Sequence, residues 1–166
     1  MLQIYTVSFF GHRYIDRVFP VEGKVASMVR RLIQEKEYVE FLVGRDGEFD
    51  QIVSSTVRRA KRELGEERCC LTWVMPYSKS EYEHNVDSFE SYYDSVEICD
   101  EATKGHPKAA IQIRNRCMVD RSDLVVFYVE HESGGAYQTM KYAEKRKKHL
   151  INLAEGDADA EQAYTF

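Results

Sequence analysis

The run Leu124 to Val129, LVVFYV, contains no charged or amide side chain. A strand with one wet face alternates apolar and polar residues, so an unbroken apolar run has to be covered on both sides. Parallel strands joined by crossover helices meet that requirement. The rest of the chain fits the same plan. Met1 to Phe10, Glu40 to Val43, Arg68 to Met75, Ser95 to Cys99 and His149 to Ala154 read as further strands, the first of them central. Between them, Val25, Met28, Val29, Leu32 and Ile33 repeat at helical spacing from about Val21, after Pro20. Phe49, Ile52, Val53, Val57, Ala60 and Leu64 do the same, and further helices are expected after Pro107 and over Ala136 to Lys148. The expected architecture is α/β, a doubly wound, mainly parallel sheet of about six strands with helices on both faces. At 166 residues it forms one domain, over 1–154, followed by an acidic, alanine-rich tail at 155–166 that frays. Tyr77 to Asp94 has no clean period and reads as a short helix or a flap over a site.

Ligands of such sheets sit beyond the carboxyl ends of the strands. Gly11-His12-Arg13, Gly44-Arg45-Asp46-Gly47, Pro76-Tyr77 and Ser133-Gly134-Gly135 all fall there. Ser133-Gly134-Gly135 opens a helix, where free N–H groups and the helix dipole favour an anion, and Ser133 and Thr139 add hydroxyl groups. The same glycine pair also suits an ordinary tight turn. His12 is either a loop histidine making one hydrogen bond or a ligand contact, and Arg13 offers a fixed cation. Arg114 and Met118 share a helix face with Arg121; Arg114 either points to the same sheet edge or forms a surface ion pair. Asp123, before a strand, reads as an acceptor for backbone N–H groups. Arg58, Arg59, Lys61 and Arg62 read as a solvated helix face. The candidate binding set is Gly11, His12, Arg13, Gly44, Arg45, Arg114, Met118, Ser133, Gly134, Gly135 and Thr139, for a phosphate-bearing ligand.

Several classes are disfavoured. A net charge of −5 sets the chain apart from general nucleic-acid binders, so no nucleic-acid partner is expected. Cys69, Cys70, Cys99 and Cys117 form no C-x-x-C pair and read as buried free thiols of a reducing cytoplasm. No zinc-ligand spacing occurs, and no metal or other cofactor is expected. No apolar run is long enough to span a bilayer, so no membrane partner is expected either. The G-x-S-x-G elbow, the Walker A lysine, H-E-x-x-H and the glycine-rich dinucleotide fingerprint are all missing.

With these residues placed, residues 3–153 resemble the SLOG superfamily of Rossmann-like domains, which includes the Lonely Guy proteins and DprA. The strand ending in Phe9-Phe10-Gly11-His12-Arg13 is most similar to the YpsA-like branch, whose function is unknown. Arg114 to Asp123 resembles the Lonely Guy pattern R-K-x-x-M-x-x-x-S-D, and Ser133 to Lys141 resembles part of P-G-G-x-G-T-x-x-E. The resemblance implies a nucleotide-like ligand and a homo-oligomer, with the tyrosine-rich 77–93 section as a packing surface. In the phosphoribohydrolases of this superfamily, the arginine and the final glutamate serve N-glycosidic cleavage. Here Lys141 stands at the glutamate position, Tyr137 at the second-motif glycine and Ser133 at the proline. A lysine has the wrong charge to stabilise an oxocarbenium ion or activate water. The expectation is therefore binding or sensing without hydrolysis. The alternative is an enzyme cleaving nucleoside monophosphates with a displaced carboxylate, Asp50, Glu48 or Glu132.

Overall fold

Strand β1, Ile4–Gly11, runs through the middle of the sheet. It pairs in parallel with β2 (Tyr38–Val43) on one side and β5 (Leu124–Tyr128) on the other. β3 (Cys69–Met75) and β4 (Ser95–Ile98) extend one wing, and β6 (Leu150–Asn152) the other. All six strands are parallel, in the order β4-β3-β2-β1-β5-β6. The computed structural model describes residues 1–155 and 164–166.

Strand alternation divides the core in two. Val7, Phe9, Val126 and Tyr128 face α1 (Val18–Glu35) and α2 (Glu48–Leu64). Phe10, Leu42, Val125 and Phe127 face α6 (Ala110–Arg121) and α7 (Gly135–Lys145). Every residue of β5 is buried, the consequence of helices on both faces. The chain builds one wing, returns, and adds β5 on the other side of β1. That reversal opens a crevice beyond the ends of β1 and β5.

The differences from the sequence expectation are local. α1 begins at Val18, with Pro20 in the first turn, where its missing N–H is not needed. A five-residue helix, α5 (Asp100–Lys104), precedes a 3-10 turn at Pro107–Ala109 and was not anticipated; one turn and a half is too short to show a period. α7 stops at Lys145 because Lys147 takes a positive φ of 56°. The 77–94 section holds α3 (Ser80–Glu83) and α4 (Val86–Tyr92). Three of its aromatics turn inward, Tyr82, Phe89 and Tyr93 packing 5.1–5.9 Å from Trp73, while Tyr77 is exposed. Within the tail expected to fray, 156–163 lie outside the described residues. Tyr164 and Phe166, however, pack on the core, and Arg31 lies 4.7 Å over the Phe166 ring.

Other features follow the sequence reading. The Thr6 N–H donates to Asp123 (2.8 Å), and the Asp123 N–H donates to the Thr6 carbonyl (2.8 Å). All four cysteines are free; Cys69 and Cys99 are buried, whereas Cys70 and Cys117, also expected to be buried, are only half-buried. On the basic face of α2, Arg59 pairs with Glu22 and Lys61 with Asp94. Among the described residues, no helix is long and apolar enough to cross a membrane.

Candidate functional site

A cavity of about 410 Å³ opens beyond the carboxyl ends of β1 and β2. Its walls are the turn after β1, the turn after β2, one face of α6 and the start of α7. Of the residues singled out from the sequence, Gly11, His12, Arg13, Gly44, Arg114, Ser133, Gly134 and Gly135 line it. Two of the glycines are needed for shape. A Cβ on Gly11 would lie 2.3 Å from the Phe49 ring, so the β1 turn can sit against α2 only without one. Gly134 has φ 91° and ψ 176°, a region open essentially to glycine alone, and stands at the N-cap of α7.

Arg45, Met118 and Thr139 do not line the cavity. Arg45 lies 4.9 Å over Phe89 and donates to the Tyr93 hydroxyl (3.4 Å) and Glu81 (3.3 Å), so the aromatic wing claims its guanidinium. Met118, one turn along α6 from Arg114, is 1% exposed within the core. Thr139 is fully buried behind the site; its hydroxyl donates to the Gly135 carbonyl (2.9 Å) and accepts from Asn115 (3.1 Å), tying α7 to α6.

Arg114 is neither a surface ion pair nor a free cation. It is 2% exposed and donates to Asp46 (2.6 Å), the Val74 carbonyl (2.8 Å) and the Asn115 side-chain oxygen (2.8 Å). Asp46 also accepts from Lys79 (2.7 Å). Burial opposes the Asp46 charge, but Arg114 and Lys79 outweigh it and hold the carboxyl below its usual range. Asp50, also in the wall, accepts the Asp46 N–H (2.9 Å), and burial pushes its carboxyl up to about 6. Of the other carboxylates considered, Glu48 lies outside the lining and accepts the Ile15 N–H (2.6 Å), while Glu132 is exposed and also outside it. Lys141 is exposed, pairs with Glu144 (3.2 Å) and does not reach the cavity.

Arg13 lines the cavity beside the start of α2, where its carbonyl accepts the Glu48 N–H (2.8 Å); it is exposed and has no ion-pair partner among the described residues. His12 is 8% exposed, and its Nε2 accepts the Glu130 N–H (2.8 Å). The His131 ring stacks on it, 3.8 Å between centroids and 5° from parallel. Burial, then His131, lowers the His12 pKa, with Glu130 opposing. The sequence reading passed over His131 and Asn115, which carry no local signal. It took Asp46 only as part of a turn. No group of three or more His, Cys, Asp or Glu able to hold a metal occurs among the described residues.

No family model matches the chain, and no curated protein does. Solved structures do. DNA processing protein A from Helicobacter pylori, described for its single-stranded DNA binding mode, has a TM-score of 0.60 at 17% identity, over 96% of this chain and 71% of that one. DNA processing protein A from Streptococcus pneumoniae has a TM-score of 0.67 at 13% identity, over 94% of this chain and 52% of that one. This chain thus spans about half the length of the Streptococcus protein. The molybdenum cofactor carrier protein from Chlamydomonas reinhardtii has a TM-score of 0.62 at 12% identity, over 97% and 82%. These findings correct the exclusion of nucleic acid. A protein of this fold binds single-stranded DNA, and a net charge of −5 says nothing about how charge is distributed over a cleft. At such identities the likeness speaks for architecture, and the architecture of this chain is a Rossmann-like α/β fold.

Proposed function

We propose that the cavity binds a nucleotide or nucleotide-derived small molecule and senses it without hydrolysis, with the phosphate on the first turn of α7. The observation that carries this reading is the start of that helix. Gly134 and Gly135 line the cavity at the start of α7, where the first backbone N–H groups of a helix lack intrahelical partners, no acidic residue stands in the first turn, and Arg13 lines the same cavity. The volume suits a small organic ligand. The Gly11-His12-Arg13 turn in the wall supports placing the chain nearest the YpsA-like branch. Arg114, expected to meet the phosphate directly, takes a supporting part, since three of its donors are committed inside the protein.

The test is a thermal-shift screen of nucleotides, inorganic phosphate and single-stranded oligonucleotides. A ligand of the folded state must raise the melting temperature by mass action. Stabilisation by nucleotides supports the reading. No shift with any phosphorylated small molecule, or a shift with oligonucleotides alone, defeats it.

One observation favours the hydrolytic alternative: Asp50 is a cavity carboxyl with a pKa near neutrality. Against it, that carboxyl already accepts a backbone N–H at the start of α2. Incubation with AMP, GMP, CMP and UMP, followed by assay for free base, decides between them. Release abolished by Asp50→Asn establishes the enzyme.

A further inference from the structure

We infer that His12 is a neutral hydrogen-bond donor to the bound anion, its Nδ1–H directed to the cavity while its Nε2 is occupied by the backbone. The inference rests on the phosphate-binding reading above and adds the atom that recognises the anion.

The argument is one of hydrogen-bond accounting. The Glu130 N–H donates to Nε2 at 2.8 Å, and a ring nitrogen that accepts carries no proton. In the neutral ring the proton is therefore on Nδ1. The His12 N–H also donates to the Tyr128 carbonyl (3.3 Å), so main chain and ring are both anchored on the segment leaving β5. Nδ1 has no partner among the described residues, although the residue is 8% exposed and lines the cavity. Nδ1 is not among the fully buried unpaired polar atoms, so it is open to a partner from outside the protein, water or a ligand.

The surroundings hold the ring in that state. The parallel His131 ring at 3.8 Å fixes its plane and disfavours a positive charge on it, as does burial; Glu130 acts the other way and does not prevail. Nearby cationic charge comes from Arg13, also in the lining, because Arg114 is paired with Asp46. His12 thus contributes a fixed direction rather than a charge.

Two variants separate the ring nitrogens. In His12→Gln the longer amide can place its oxygen near the Nε2 position, accepting from Glu130 but offering nothing at Nδ1. In His12→Asn the shorter amide can place its nitrogen near Nδ1 and loses the Glu130 bond. Affinity for inorganic phosphate and for AMP is measured by calorimetry, melting temperature by scanning calorimetry, and the ring tautomer by ¹⁵N–¹H correlation NMR. The expected result is a proton on Nδ1 in the free and phosphate-loaded protein. His12→Gln should melt near the wild type yet bind phosphate about 10- to 100-fold more weakly, the range for a lost hydrogen bond to a charged group. His12→Asn should show the reverse balance. A proton on Nε2, or wild-type affinity in His12→Gln, overturns the inference alone. A wild-type protein that binds neither compound overturns the phosphate reading and this inference with it.

Discussion

Two helices begin at the same sheet edge and treat their free N–H groups in opposite ways. α2 opens on Gly47 and puts Glu48 and Asp50 in its first turn. The Asp50 carboxyl accepts from Asp46 and Glu48 accepts from Ile15, while the Glu48 N–H donates to the Arg13 carbonyl (2.8 Å), so the chain itself supplies negative charge at this end. α7 opens on Gly134 with no acidic residue in its first turn, and neither helix has a side-chain cap. The proposed phosphate site is the helix start of this pair that has no negative charge of its own.

The comparison can be broken most severely at Arg114, which holds Asp46 at the closed end. Arg114→Ala should destabilise the fold by about 3–5 kcal/mol, the cost of removing one partner of a buried ion pair. Arg114→Lys should recover little of it, because an ammonium cannot reproduce the guanidinium fork. Denaturant unfolding measures both. A loss below about 1 kcal/mol would mean that Lys79 alone suffices for Asp46.

Next in size is the pH dependence of Asp50. Its folded pKa, about 6, lies above the ordinary 3.8. The folded protein therefore binds this proton more tightly than the unfolded chain does. The stabilisation is fully present below pH 3.8 and is lost as pH rises through about 6. Wild type should lose about 2–3 kcal/mol relative to Asp50→Asn between pH 4 and pH 7. Parallel stability curves would place this carboxyl in open solvent.

At the open end, Gly134→Ala should cost about 1–3 kcal/mol, all of it backbone strain, since a Cβ there meets nothing within 4 Å. Phosphate affinity should fall with it as the turn reshapes. An alanine tolerated without loss would show that the turn can relax. The smallest effect belongs to Lys141→Ala on the outer face of the same helix. Neither stability nor ligand affinity should change measurably, as expected for an exposed ion pair. Weakened binding there would extend the site one turn further along α7.

Most of the fold could be read from the sequence because its signals are local. The apolar run at 124–128 requires two covered faces, and the stripes of Val25, Val29 and Leu32 or of Phe49, Val53 and Val57 require helices. The cavity was legible as a set of turns, since glycine patterns at strand ends are local as well. What each charged side chain does there was not. Arg45 and Arg114 look equally available in the sequence, yet one is drawn over Phe89, 44 residues away, and the other pairs with Asp46 at a separation of 68. The His12–His131 stack joins opposite parts of the chain, and no spacing rule announces it.

The central pairing of β1 with β5 bears on how the protein folds as well as on where its cavity lies. β1 through β4 follow one another along the wing, but the Ser8–Ser122 hydrogen bond closes a separation of 114 residues and the His12–Glu130 bond one of 118. Closing loops of that length is slow relative to forming neighbouring contacts. Folding that begins along the β1–β4 wing therefore leaves the cavity until β5 docks. Refolding followed by ligand fluorescence should lag behind refolding followed by far-ultraviolet dichroism, so that the ligand reports on completed molecules alone.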